Sequence, residues 1–163
     1  MIDQVNVDHA GNITVRTAES VVWNIPYTDT TTSIKGINKE ITLEFKSYDR
    51  LPSLSLLNPE IASLASALLW TFGNYLHDTY KELTAVYRET ETVLTFENNA
   101  SLIVLVFDRK YHTMTVSHST GLTTRKKTGC ITDMKKTMLD CAVTPLDCTF
   151  LQTLFNRGVF TIA

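Results

Sequence analysis

Glycine and proline are scarce in this chain, six and four among 163 residues. That excludes collagen-like and Pro/Gly-rich low-complexity architectures. Cysteine is scarcer still and odd in number: Cys130, Cys141 and Cys148, all in the last third. Three thiols cannot pair completely, so no disulfide framework is expected; all three are read as reduced, with Cys141 and Cys148 as small core residues. Long apolar runs are also missing. The longest charge-free stretch, Ile61 to His77, is interrupted by Ser63, Ser66, Thr71, Gly73 and Asn74, whereas a bilayer span needs about 20 mainly apolar residues. The opening MIDQVNVDHAGN has neither the basic n-region nor the apolar h-region of a signal peptide. The expectation is a cytoplasmic protein, in the host cytoplasm or the virion if the source is viral, with no membrane partner.

Motifs for chemistry are equally thin. There is no Gly-x4-Gly-Lys-Ser/Thr phosphate loop, no Cys-x2-Cys and no His-x3-His pair. His112 and His118, read as sharing one strand face, stand six residues apart, about 20 Å at strand rise, too far to hold one ion. No cofactor or metal is expected. Two His-x-Thr triplets, His77-Asp78-Thr79 and His118-Ser119-Thr120, match the paired acid–base motif of 2H phosphoesterases in spacing alone. The first triplet falls inside a predicted helix, not on a strand, and chance matches are easy in a chain so rich in threonine.

What is abundant is threonine, at 25 residues. Its β-branched side chain suits a half-buried pleated surface, so substantial sheet is expected. Charge is placed unevenly. Arg109, Lys110, Arg125, Lys126, Lys127, Lys135 and Lys136 face a single acid, Asp133, across 109–136. This segment carries +6, so the remainder of a chain with net charge −2 carries −8.

Along the chain, Val5 and Val7, Ile13 and Val15, then Val21, Trp23 and Ile25, and finally Ile41, Leu43 and Phe45 alternate with polar residues, as half-buried strands do. The polar stretch from Tyr27 to Glu40 reads as a long loop. Asn58-Pro59-Glu60 is a helix start, with an N-cap, proline at the first position and an acid at the positive end of the dipole. Ile61, Leu64, Leu68, Phe72, Leu76, Leu83 and Tyr87 follow at helical spacing, which predicts one long helix over about 59–88. Residues 91–118 predict a three-stranded meander, turning at Asn98-Asn99 and again at Asp108-Arg109-Lys110. Ser119 to Gly129 reads as a polar, glycine-flanked loop carrying the basic triplet. Short C-terminal helices are predicted at about Thr132–Ala142 and from Thr144-Pro145 to Arg157, the second stopped by Gly158. Val159 to Ile162 reads as a last short strand.

The predicted fold is therefore a single α+β domain over 1–163. An antiparallel sheet packs against the long helix, with the short C-terminal helices covering another part. Functionally, the first expectation is a non-enzymatic interaction or assembly protein, a subunit of an oligomeric complex. Its Thr/Asn-rich composition is in keeping with bacteriophage or viral structural proteins. Protein partners, self or other subunits, come first. The helix face bearing Ala62, Ser66 and Trp70 carries no charge, so it is the expected interface. The second expectation is a nucleic-acid or nucleotide-binding module using the seven basic residues. The triplet lacks the interleaved aromatics of a single-strand binder. A small hydrolase built on the His triplets is the third.

Overall fold

A computed structural model describes residues 2–8, 13–17, 22–25, 32–36, 42–45, 80–98 and 101–160. Among these residues ten strands form one antiparallel sheet: β1 (Ile2–Val7), β2 (Ile13–Thr17), β3 (Val22–Ile25), β4 (Thr32–Gly36), β5 (Thr42–Phe45), β6 (Tyr80–Tyr87), β7 (Glu91–Asn98), β8 (Leu102–Asp108), β9 (Thr113–Thr120) and β10 (Thr123–Cys130). Their spatial order is β10-β9-β8-β7-β6-β1-β2-β3-β4-β5. The sheet is thus two five-stranded meanders side by side, joined where β1 pairs with β6 (Val5 opposite Ala85, Val7 opposite Leu83). β10 and β5 are its edges.

The register puts one set of side chains on a common face. Val5, Ala85, Leu94, Leu105 and Val116 lie in one row across five strands, all buried without residual exposure. The intervening positions, such as Thr84, Thr95 and Val104, point to the opposite face and are only half-buried. Strict alternation with one buried face is what fixes strand register, since a one-residue slip would move every apolar residue to the other side.

Among the described residues two helices lie on the buried face: α1 (Met134–Asp140), entered through a 3-10 turn at Ile131–Asp133, and α2 (Pro145–Asn156). The α2 start is as the sequence predicts. Thr144 Oγ1 accepts the Asp147 amide at 3.3 Å, with Pro145 at the first position. Its end is a Schellman closure: Gly158 takes φ 84°, its amide donates to Phe155 O, and the Val159 amide donates to Leu154 O. Rings join helix to sheet. Phe96 and Phe150 are 5.2 Å apart between centroids, and Phe107 meets Phe155 edge-on at 5.5 Å.

Four expectations are corrected. The long helix does not reach Arg88, because 80–87 is β6; the rest of its span, through 79, lies outside the described residues. Leu83 and Tyr87, four apart, fit a helical stripe and a two-residue strand period equally well. What decides is that Ala85 is buried with them while Glu82, Thr84 and Val86 are not. The predicted loop across 27–40 contains β4. Of the predicted strand over Val159 to Ile162, the first two residues are a turn and the last two lie outside the described residues: the Tyr87 hydroxyl donates to Val159 O at 2.5 Å and Thr92 Oγ1 to Phe160 O at 2.7 Å, so side chains, not a strand ladder, satisfy these carbonyls. His112 is not on a strand with His118; it occupies the preceding turn at φ 52°, and its carbonyl accepts the Ile131 amide. The meander of 91–118 and the strands around Val5, Val15, Trp23 and Leu43 lie where the sequence put them. No helix among the described residues is long and apolar enough to cross a membrane.

Candidate functional site: the basic edge strand

The basic triplet is not in a loop. It occupies the middle of β10, an edge strand paired with β9 on one side only. Gly121 and Leu122 connect the two strands; Gly121 takes φ 58° and Leu122 is not in the left-handed region, the pattern of a two-residue type II′ hairpin turn. The sequence hid this strand because it has no apolar alternation: residues 121–128 are all exposed. An edge strand with little packed on it needs no buried face, and Thr123, Thr124 and Thr128 supply the β-branched backbone preference.

Strand geometry divides the triplet. Arg125 and Lys127 stand opposite His118 and Val116, whose side chains are buried on the helix-covered face; Lys126 stands opposite Ser117 on the open face. On the open face the neighbouring hydroxyls pair across the strands, Ser119 with Thr124 at 3.0 Å and Thr115 with Thr128 at 2.9 Å. On the helix face Lys127 forms an exposed ion pair with Asp140, the last residue of α1. Their hydrogen bond raises the lysine's affinity for its proton and holds the Asp140 carboxyl below its ordinary range, with the Lys136 charge adding to the latter effect. Lys135 and Lys136 are both exposed on α1. Lys127 and Lys136 thus both act on one acid, Asp140. The side chains of Arg125 and Lys126 make no hydrogen bond or ion pair among the described residues.

The other two predicted site residues do not join this group. Arg109 is half-buried and engaged at the far side of the meander, where Nη1 donates to Thr92 Oγ1 at 2.6 Å. It supports the hydroxyl that holds the C-terminal turn. Lys110 lies over the Tyr111 ring, 5.3 Å from its centroid. The predicted interface residues Ala62, Ser66 and Trp70, and the triplet His77-Asp78-Thr79, lie outside the described residues. His118, from the second triplet, is buried, with Nδ1 2.8 Å from Cys141 O at the end of α1. No cluster of three or more His, Cys, Asp or Glu suited to a metal ion occurs among the described residues.

Two residues the sequence reading passed over belong to the site. Leu122 is wholly exposed at the hairpin tip, and Tyr111 is two-thirds exposed in the turn beyond the other end of β10. The signal was available: a leucine within a run of ten polar or glycine residues has no core to join. A second surface, an open groove lined by Gln4, Asn6, Thr14 and Arg16, is weaker as a site because its polar groups satisfy one another. Arg16 donates to Gln4 Oε1 at 2.7 Å, and Asn6 donates to Glu82 Oε1 at 2.6 Å and to Thr84 Oγ1 at 2.8 Å.

The three thiols are free, with Cys130 exposed at the end of β10 and Cys141 and Cys148 buried. The Thr132 hydroxyl donates to Cys130 Sγ at 3.4 Å and lowers its pKa, whereas burial raises the other two. A maleimide is therefore expected to label one cysteine of the native protein, Cys130, and all three only after denaturation. Labelling of Cys148 at a rate like that of Cys130 would contradict the packing of α2.

Comparison with protein-family models, with curated proteins and with solved structures finds no match.

Proposed function

We propose that this protein is a non-enzymatic interaction or assembly protein that recruits an acidic protein partner through β10. The observation that carries this reading is the exposed basic edge: Arg125, Lys126 and Lys127 in the middle of an edge strand, with exposed Leu122 and Tyr111 beyond its two ends. Large exposed apolar side chains beside a concentrated charge are the composition of a contact surface, where apolar anchors supply affinity and charge supplies selectivity and steering. Binding to nucleic acid, the runner-up, is favoured less by this geometry. A phosphate backbone is followed best by cations on one face, yet Lys126 points away from Arg125 and Lys127.

The triple substitution R125S/K126S/K127S tests this directly. Its positions are exposed, so its melting temperature is expected to match the parent's within the effect of about 0.5 kcal/mol usual for surface changes. The parent should bind polyglutamate at low salt and the triple variant should not. A DNA duplex binding more tightly than polyglutamate, with the steep salt dependence of phosphate contacts, would transfer the surface to the runner-up. Parent and variant binding polyglutamate equally would remove β10 from the function.

A further inference from the structure

We propose that the partner docks on β10 as an added strand: an acidic extended segment of about eight residues hydrogen-bonds to the backbone edge of residues 124–128, which no described strand pairs. This rests on the acidic-partner reading above and specifies its mode.

The free edge follows from the hairpin. In a two-residue type II′ hairpin, the residues flanking the turn, Thr120 and Thr123, form a hydrogen-bonded pair, and the character of the pairs alternates from there. The pairs Ser119–Thr124, Ser117–Lys126, Thr115–Thr128 and Thr113–Cys130 are then the non-hydrogen-bonded ones. Side chains approach more closely at such pairs, and the hydroxyl contacts of Ser119 with Thr124 and of Thr115 with Thr128 fall on two of them. The amides and carbonyls of Thr124, Lys126 and Thr128 consequently point away from β9. Thr124, Lys126 and Thr128 have no backbone hydrogen bond to another element among the described residues, whereas Cys130 caps the 3-10 turn at Ile131–Asp133. α1 does not cover this edge. It crosses the face of β10 at Gly129, where a β-carbon would run into the Thr137 hydroxyl, and leaves 123–128 exposed.

Charge selects the occupant. An antiparallel pairing of β10 with β10 of a second copy would set Arg125-Lys126-Lys127 against the same three cations, the device by which natural edge strands resist self-pairing. A strand with consecutive acids instead meets cations on both faces, one acid beside Lys126 and its neighbours beside Arg125 and Lys127. The length follows from the anchors. From Leu122 to Cys130 is about 27 Å at strand rise, so an eight-residue segment reaches from the hairpin tip to the turn that bears Tyr111. Main-chain bonds would give affinity and alternate side chains specificity, as in other strand additions.

The test uses the full chain and two synthetic peptides, Ile-Thr-Glu-Glu-Glu-Thr-Thr-Ile and the same peptide N-methylated at all three glutamates. The two have equal charge, but the second cannot pair along either edge of its central segment. The parent peptide should bind at low salt, the methylated one at least tenfold more weakly, and hydrogen exchange at Lys126 and Thr128 should slow only with the first. R125S/K126S/K127S should lose both. Equal binding of the two peptides overturns strand addition and leaves the acidic-partner reading standing. No binding of the parent peptide while polyglutamate binds does the same. Binding of a DNA duplex to β10, with neither peptide nor polyglutamate bound, overturns both.

Discussion

Replacing Phe150 with alanine is expected to cost about 3–5 kcal/mol of stability, the range for truncating a well-packed aromatic. Phe150 is 3% exposed, on the face of α2 that meets the sheet, with its ring centroid 5.2 Å from that of Phe96. Phe96 is itself part of the row completed by Leu83 of β6 and Ile103 of β8. Removing the ring therefore opens a cavity at the junction of helix and sheet, lined by rigid strand residues that cannot collapse into it. At roughly 2–4 °C per kcal/mol for a chain of this size, the melting temperature should fall by about 6–20 °C. Urea titration gives the free energy, and its slope shows whether the unfolded surface is unchanged. Tyr111→Ala is the matched control, because that ring is exposed and its loss should leave the midpoint in place. A Phe150→Ala loss below about 1 kcal/mol would mean that α2 is not seated on the meander as described.

The parts of this fold that the sequence displayed are those where chemistry and periodicity agree. Within each of β7, β8 and β9 every second residue from Thr92 to Phe96, Ile103 to Phe107 and Met114 to His118 is buried, and the period-2 pattern reads directly as a meander. Thr144-Pro145 with Gly158 reads as a helix because cap, proline and left-handed stop are each locally specified. Failure came where one pattern serves two periods or where none is needed. Leu83 and Tyr87 continue a helical series from Ile61 by coincidence of an i, i+4 spacing, and only the pairing of Leu83 with Phe96 and of Tyr87 with Thr92 makes them strand. β10 has no apolar side because its place at the sheet edge asks for none. The same gap affected the site. The sequence identified the basic triplet but treated it as a flexible unit, whereas a strand sends Lys126 to one face and Arg125 and Lys127 to the other. That division is what weakens the nucleic-acid reading, and it is visible only once the register with β9 is known. Arg109 was grouped with the triplet by charge alone; its hydrogen bond to Thr92 assigns it to the support of the C-terminal turn instead.

Gly129→Val is expected to destabilise the protein by about 1–3 kcal/mol, the usual cost of forcing atoms into a packed contact. The direction is informative, because at an open strand position the same change should help: valine suits a pleated backbone and glycine weakens it. Gly129 differs in what lies above it. A β-carbon there would fall 2.4 Å from Thr137 Oγ1. Thr137 cannot simply swing aside. It is buried in α1, and its hydroxyl is engaged at 3.0 Å with Asp133 O one turn earlier. Valine must therefore lift α1 from β10, and with it Asp140 from Lys127. Thr137→Ala removes the clashing oxygen, so Gly129→Val combined with Thr137→Ala should be less destabilised than the two single changes added together. A coupling of about 0.5–3 kcal/mol is typical of residues in contact, and denaturant titration of the four proteins measures it. If Gly129→Val proves stabilising, or the two changes simply add, then α1 does not rest on β10 at this glycine. The edge strand would then lack the helix that places Asp140 beside its basic triplet.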